Sequence, residues 1–107
     1  MILYGLKNCD TCRKAMKALE AAGHAPRLHD VRADGLDRAQ VEAWLKIFGD
    51  ALVNTRSTTW RGLTADERAE PAAALLIRHP TLMKRPIIED GDRVTLGWTA
   101  EAQSTWL

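Results

Sequence analysis

Cys9 and Cys12, three positions apart, bring the most reactive side chains in this chain together in the run Lys7-Asn8-Cys9-Asp10-Thr11-Cys12-Arg13-Lys14. A thiolate, not a thiol, attacks a disulfide, and an ordinary cysteine is mostly protonated at neutral pH. Lys7, Arg13 and Lys14 add nearby positive charge that favours ionisation. At the start of a helix, unpaired backbone N–H groups and the positive end of the dipole would point at Cys9 as well. Cys12 would then share one side of that first turn, within reach of a disulfide. The expected division of labour has Cys9 attacking and Cys12 resolving the mixed disulfide. The bland alternative is a pair of ordinary buried cysteines, and placement between a strand and a helix argues against it.

Zinc would be a competing use of the same thiols. Cys9-x2-Cys12, eleven residues, and His24-x4-His29 nearly match the ligand spacing of a Cys2His2 finger. Such a finger carries its cysteines on a hairpin and its histidines on a helix. Here the helical pattern falls between Cys12 and His24, and His29 lies in a strand-like run, so no metal is expected. His24 and His79 read as solvated residues at helix ends, and His29 as a strand side chain rather than a base.

The elements that must position the thiols follow from periodicity. Ile2-Leu3-Tyr4, ended by Gly5, reads as a buried strand. Ala15, Met16, Leu19 and Ala22 recur at helical spacing from Cys12, with Gly23 as the stop. Arg27 to Val31, opened by Pro26, alternates as a second strand. A strand–helix–strand unit of this kind pairs its strands in parallel. Asp37 can cap a helix through Phe48 with Val41, Trp44, Leu45 and Phe48 on one face and Gly49 at the stop. Residues 51–64 are less regular, and Pro71 opens a helix to about His79, ended by Pro80. Pro86-Ile87-Ile88-Glu89, a turn at Asp90-Gly91, and Val94 to Gly97 give a hairpin pattern, with a short helix from Ala100 to Leu107. The expected fold is α/β: a small mixed, thioredoxin-like sheet flanked by helices, with a helical insert between the βαβ and ββα parts.

Composition narrows the function classes. The 107 residues suit one domain over 1–107, and 46% hydrophobic with 27% charged residues is the balance of a globular chain. A net charge of +1 gives no case for nucleic acid or an anionic membrane. No apolar run approaches the ~18 residues needed to cross a bilayer, and the start lacks the h-region of a signal peptide. Two closely spaced cysteines fit reactive thiols in a reducing compartment, so a cytoplasmic location is expected.

Several separated motifs fall in an order that resembles a known family. Tyr4-Gly5, Asn8-Cys9-Asp10-Thr11-Cys12-Arg13-Lys14-Ala15, Asn54-Thr55-Arg56, His79-Pro80 and Lys84-Arg85-Pro86-Ile87-Ile88 resemble the ArsC/Spx/YffB family. The run Asn54-Thr55-Arg56-x-Thr58-Thr59-Trp60-Arg61 is most similar to the YffB branch. The resemblance implies a thioredoxin-like fold in which Arg85-Pro86 is a cis peptide beside the nucleophile, a bond that proline makes accessible. In the arsenate reductases of that family the counterpart of Cys9 attacks the oxyanion, and arginines matching Arg56 and Arg85 help bind it. Arginine forks suit a tetrahedral oxyanion and equally a glutathione carboxylate. Arg13, Arg56 and Arg85 are therefore the candidate anion-binding residues, with Asn8, Thr11 and Pro86 structural at the site.

Two departures shape the functional expectation. The arsenate reductases have serine where this chain has Cys12, as Spx does. Where they carry a third anion-binding arginine, Thr95-Leu96-Gly97 leads into Trp98. The expected activity is thus a reductase of disulfides or glutathione mixed disulfides, with no bound cofactor, glutathione as co-substrate, and glutaredoxin as a possible partner. The alternative from another class is a Spx-like redox sensor that binds RNA polymerase, expected here without a long basic tail beyond Leu107. A true arsenate reductase is the third reading.

Overall fold

The computed structural model describes all of residues 1–107, which form two compact units: 1–31 with 85–107, and 32–84. The first unit is built on a four-stranded sheet. β1 (Ile2–Gly5) lies in the middle, parallel to β2 (Arg27–Asp30) and antiparallel to β3 (Ile87–Asp90), which pairs antiparallel with β4 (Arg93–Leu96). The central position of β1 explains why its sequence is an unbroken apolar run rather than an alternation. α1 (Asp10–Ala21) turns Cys12, Ala15 and Leu19 inward. They form one core with Leu3, Ile88 and Trp106, the last from α7 (Ala100–Trp106), so both helices cover the same face of the sheet.

The ends of α1 are set by local chemistry. Gly23, at φ +92, lets the chain reverse, so that His24 N–H bonds Leu19 O at 3.0 Å and Gly23 N–H bonds Glu20 O at 3.1 Å. β2 is shorter than its alternation suggests: it ends at Asp30, and Val31, fully buried, opens the one-turn helix α2 (Val31–Asp34) instead. Burial of an apolar residue at the strand end overrode the alternating pattern. The hairpin turn also lies one residue beyond its expected place. Asp90 pairs with Arg93, so the loop is Gly91-Asp92, with Gly91 at φ +61 in the first loop position where glycine is favoured.

The second unit is helical. α3 (Arg38–Phe48) starts at Asp37, whose carboxylate accepts the Gln40 N–H at 3.3 Å, and buries Val41 and Trp44. It packs on α6 (Ala72–Arg78), which buries Ala73, Leu75 and Leu76. The irregular stretch contains a 3-10 turn (Gly49–Leu52) and two one-turn helices, α4 (Thr58–Arg61) and α5 (Ala65–Arg68). Ser57 caps α4, and Thr64 with Glu67 forms a capping box on α5. No helix is long and apolar enough to cross a membrane.

Candidate active site

β1 hands over to α1 through a tight turn in which Cys9 N–H bonds Leu6 O at 3.2 Å. Cys9 is the N-cap residue of α1, in extended conformation, and its carbonyl accepts the first helical bond from Arg13 N–H at 3.0 Å. Its thiol makes no capping hydrogen bond. An ionised sulfur would be favoured by three neighbouring groups: the Cys12 N–H, the Cys12 thiol and the Arg85 guanidinium. Burial is the largest single influence on Cys9 and raises its pKa. The two donors from Cys12 and the hydrogen bond and charge of Arg85 together outweigh it, holding Cys9 below the ordinary thiol value.

Cys12 behaves in the opposite way. It is 1% exposed, and burial is the main reason its pKa is pushed up to about 12. The hydrogen bond to Cys9 and the Cys9 charge push the same way, against the Leu6 N–H and the charge of Arg85. The fold thus separates two identical side chains into an accessible acidic thiol and a buried proton-holding one, which is the pattern of paired groups with distinct roles. Both are free thiols here.

The remaining candidates fall into place around this pair or apart from it. Arg85 is half-buried and joined to Pro86 by a cis peptide, and the Pro86 carbonyl accepts the Gly97 N–H at 2.8 Å. Asn8 and Thr11 are exposed on the turn and first helical turn. Arg13 is exposed and lies 3.7 Å from Asp10, one turn back. The leading influences that favour the Cys9 thiolate come from Cys12 and Arg85 rather than from Lys7, Arg13 or Lys14. Arg56 belongs to the second unit. There Asn54 Oδ1 accepts the Arg56 N–H at 3.1 Å, and Asn54 O accepts the Ser57 hydroxyl at 2.8 Å. The Asn-Thr-Arg-Ser run is therefore a side-chain-closed turn that presents Arg56 to solvent and starts α4.

The histidines have structural employment. His24 is half-buried rather than solvated: its Nε2 lies 2.7 Å from the Trp106 carbonyl, and its ring meets that indole edge-on. His29 faces Tyr4 across the β1–β2 pair at 5.0 Å between rings, as a strand side chain should. His79 is also half-buried, with Nε2 3.8 Å from Glu67. No three His, Cys, Asp or Glu side chains are grouped as a metal would need. Gly5, which the sequence marks only as the end of the first strand and part of the Tyr4-Gly5 motif, lies within β1, and a Cβ there would run into the Cys12 sulfur.

Comparison with known proteins places this geometry. The ArsC family model matches residues 4–105. An uncharacterized protein of Haemophilus influenzae is 44% identical over 103 residues, spanning 90% of this chain and 89% of that one. The global transcriptional regulator Spx of Listeria innocua is 28% identical, over 92% of this chain and 80% of Spx. Among solved structures, a YffB protein superposes with a TM-score of 0.89 at 33% identity, covering 99% and 97% of the two chains. An arsenate reductase (ArsC) related protein from Brucella melitensis gives 0.73 at 33% identity, covering 98% and 92%.

Proposed function

The chain belongs to the ArsC family, and from that premise we propose that it is a thiol-dependent reductase with Cys9 as nucleophile and Cys12 as resolving thiol. The observation that supports this most is the Cys9 sulfur at the entrance of α1, with the Cys12 thiol and Arg85 as donors to its ionised form. The preferred substrate is a glutathione mixed disulfide, R–S–SG. The Cys9 thiolate attacks the glutathione sulfur, and R–S⁻ leaves and takes a proton from solvent. Cys12 then gives up its proton as its sulfur attacks Cys9 in the mixed disulfide, closing Cys9–Cys12 and releasing glutathione as the thiol. Two further glutathione molecules, or one glutaredoxin dithiol, restore the pair and are themselves oxidised to a disulfide.

The high pKa of Cys12 suits the resolving role, because that thiol stays protonated until the mixed disulfide forms beside it. Arg85, already at the sulfur, is assigned to the charged end of the substrate. Arg56 is assigned to substrate binding by family resemblance, and Arg13 as a positive charge near Cys9. Turnover of a glutathionylated peptide and of arsenate, measured side by side with glutathione and glutaredoxin supplied, tests the reading. Reduction of the peptide with loss on Cys9→Ser supports it. No turnover of either substrate sinks it.

The likeness to Spx favours a second reading, a redox-sensing regulator using the same pair as a switch. Capture of RNA polymerase subunits by the reduced or oxidised chain, with no turnover of either substrate, would select it.

A further inference from the structure

Gly5 closes β1 opposite Asp30, in register and outside the left-handed region of backbone space. Its conformation is therefore one that any residue adopts, and alanine would fit a strand interior better than glycine does. Space, not backbone freedom, explains the glycine. A Cβ built there collides with Cys12 Sγ and comes within 3.3 Å of Cys12 Cβ and 3.2 Å of Leu3 Cδ2. The sulfur has nowhere else to go on that side, since Cys12 is packed among Leu3, Ala15, Leu19, Ile88 and Trp106. Rotation of the Cys12 side chain would relieve the collision, and it would move the sulfur within the cluster against which Cys9 packs.

The geometry points to Gly5 as a positioning residue for the thiol pair: its missing side chain is the seat that holds Cys12 Sγ against β1 and toward Cys9. This rests on the thiol-reductase reading for its meaning in catalysis. The placement itself is independent of any substrate, and so is its test. In that role Gly5 touches no reacting group of the substrate. It acts through Cys12, fixing both the donor to the Cys9 thiolate and the distance over which the disulfide must close.

The test is a double-mutant cycle between positions 5 and 12. Gly5→Ala is compared with the parent chain, and Gly5→Ala/Cys12→Ala with Cys12→Ala. The readout is the rate of Cys9 alkylation by iodoacetamide against pH, with the dithiol–disulfide equilibrium of the parent and Gly5→Ala in glutathione redox buffer. Gly5→Ala should lower the alkylation rate at pH 7 about tenfold, the size expected from losing a hydrogen bond to a charged sulfur, and should shift the equilibrium away from the disulfide. In the Cys12→Ala background the same substitution should change the alkylation profile by less than about twofold, because the sulfur it displaces is gone. An unchanged profile and equilibrium in Gly5→Ala, or an equal change in both backgrounds, overturns the proposal. Should Gly5→Ala fail to fold, recovery of the fold in Gly5→Ala/Cys12→Ala supports it, whereas failure of both places the obstruction at Leu3 or at the β-carbon of residue 12 rather than at the sulfur, and overturns it. A Gly5 effect on alkylation in a chain that turns over neither glutathionylated peptide nor arsenate would refute the reductase reading and leave the positioning role standing.

Discussion

At the scale of single residues, the central fact is that one fold gives two cysteines opposite acidities. Cys9 keeps partial exposure and gains donors, while Cys12 loses water and faces the charge of its neighbour. As pH rises, the Cys9 thiolate fraction, and with it the alkylation rate, should level off below the ordinary thiol range. Limiting iodoacetamide at neutral pH should therefore label Cys9 alone, with Cys12 modified only after unfolding or near pH 12. Peptide mapping reads this directly, and preferential labelling of Cys12 would reverse the assigned roles. Arg85 supplies a second check. Arg85→Ala removes both a hydrogen bond and a charge from the thiolate, so the Cys9 profile should move to higher pH. The kcat/KM on glutathionylated peptide should fall roughly ten- to a hundredfold. Arg85→Lys keeps the charge but not the planar fork, and should recover only part of either loss. Wild-type values of both quantities in Arg85→Ala would remove Arg85 from the site. The sequence made Cys9, Cys12 and Arg85 legible because reactive residue types and motif order survive without structure. Gly5 was not legible, because the reason for a glycine in an ordinary strand conformation lies in an atom seven residues away.

At the scale of elements, periodicity and end chemistry served well where an element was long enough to show them. Glycine stops at Gly23 and Gly49 bound the periodic runs of α1 and α3, and the structure closes both helices there. The one-turn helices α2, α4 and α5 were not read, since four residues carry no period. Their capping residues, Ser57 and Thr64 with Glu67, were the available signal. α7 shows how a short element is held by other means. Its Trp106 is nearly buried, donates Nε1–H to Thr95 Oγ1 at 2.8 Å, and lies beneath the Arg93 guanidinium at 4.8 Å. Its carbonyl lies within hydrogen-bond distance of His24. Seven residues of isolated helix would be marginal in water, so this docking is what keeps α7 formed. Trp106→Ala should cost about 3–5 kcal/mol, and Trp106→Phe, which keeps most of the ring, about 1 kcal/mol for the lost hydrogen bond. Urea unfolding of the three chains tests the ordering, and equal costs would show that the indole is held by its N–H rather than by packing.

At the scale of the whole molecule, the sulfur chemistry is confined to one of the two units. Cys9, Cys12, Gly5 and Arg85 come from the two ends of the chain, 1–31 and 85–107, and the sheet order β2-β1-β3-β4 brings those ends together. The sequence could place each motif on an element but not bring Arg85 to Cys9, because that meeting depends on β1 pairing with β3 across more than eighty residues. This arrangement makes a definite statement about oxidation. The chain has two cysteines, one half-buried and one buried beside it. Once Cys9 is oxidised, Cys12 is the nearest thiol at any protein concentration, whereas a second chain competes only in proportion to its concentration. Mild oxidation should therefore remove two hydrogens from the intact mass and yield monomer, with the same product at micromolar and at hundredfold higher protein. Cys12→Ser should change that outcome, because the surviving Cys9 has only another molecule to pair with, and covalent dimer should then rise with concentration. The reduced chain, passed through chelator, should behave identically before and after zinc is added in equimolar amount. Stoichiometric zinc retained by the reduced chain, with oxidation slowed in step, would return the pair to the metal reading that the placement of His24 and His29 argues against. Dimer from the parent chain that grows with concentration would mean instead that Cys12 does not reach Cys9, and the resolving role would fall with it.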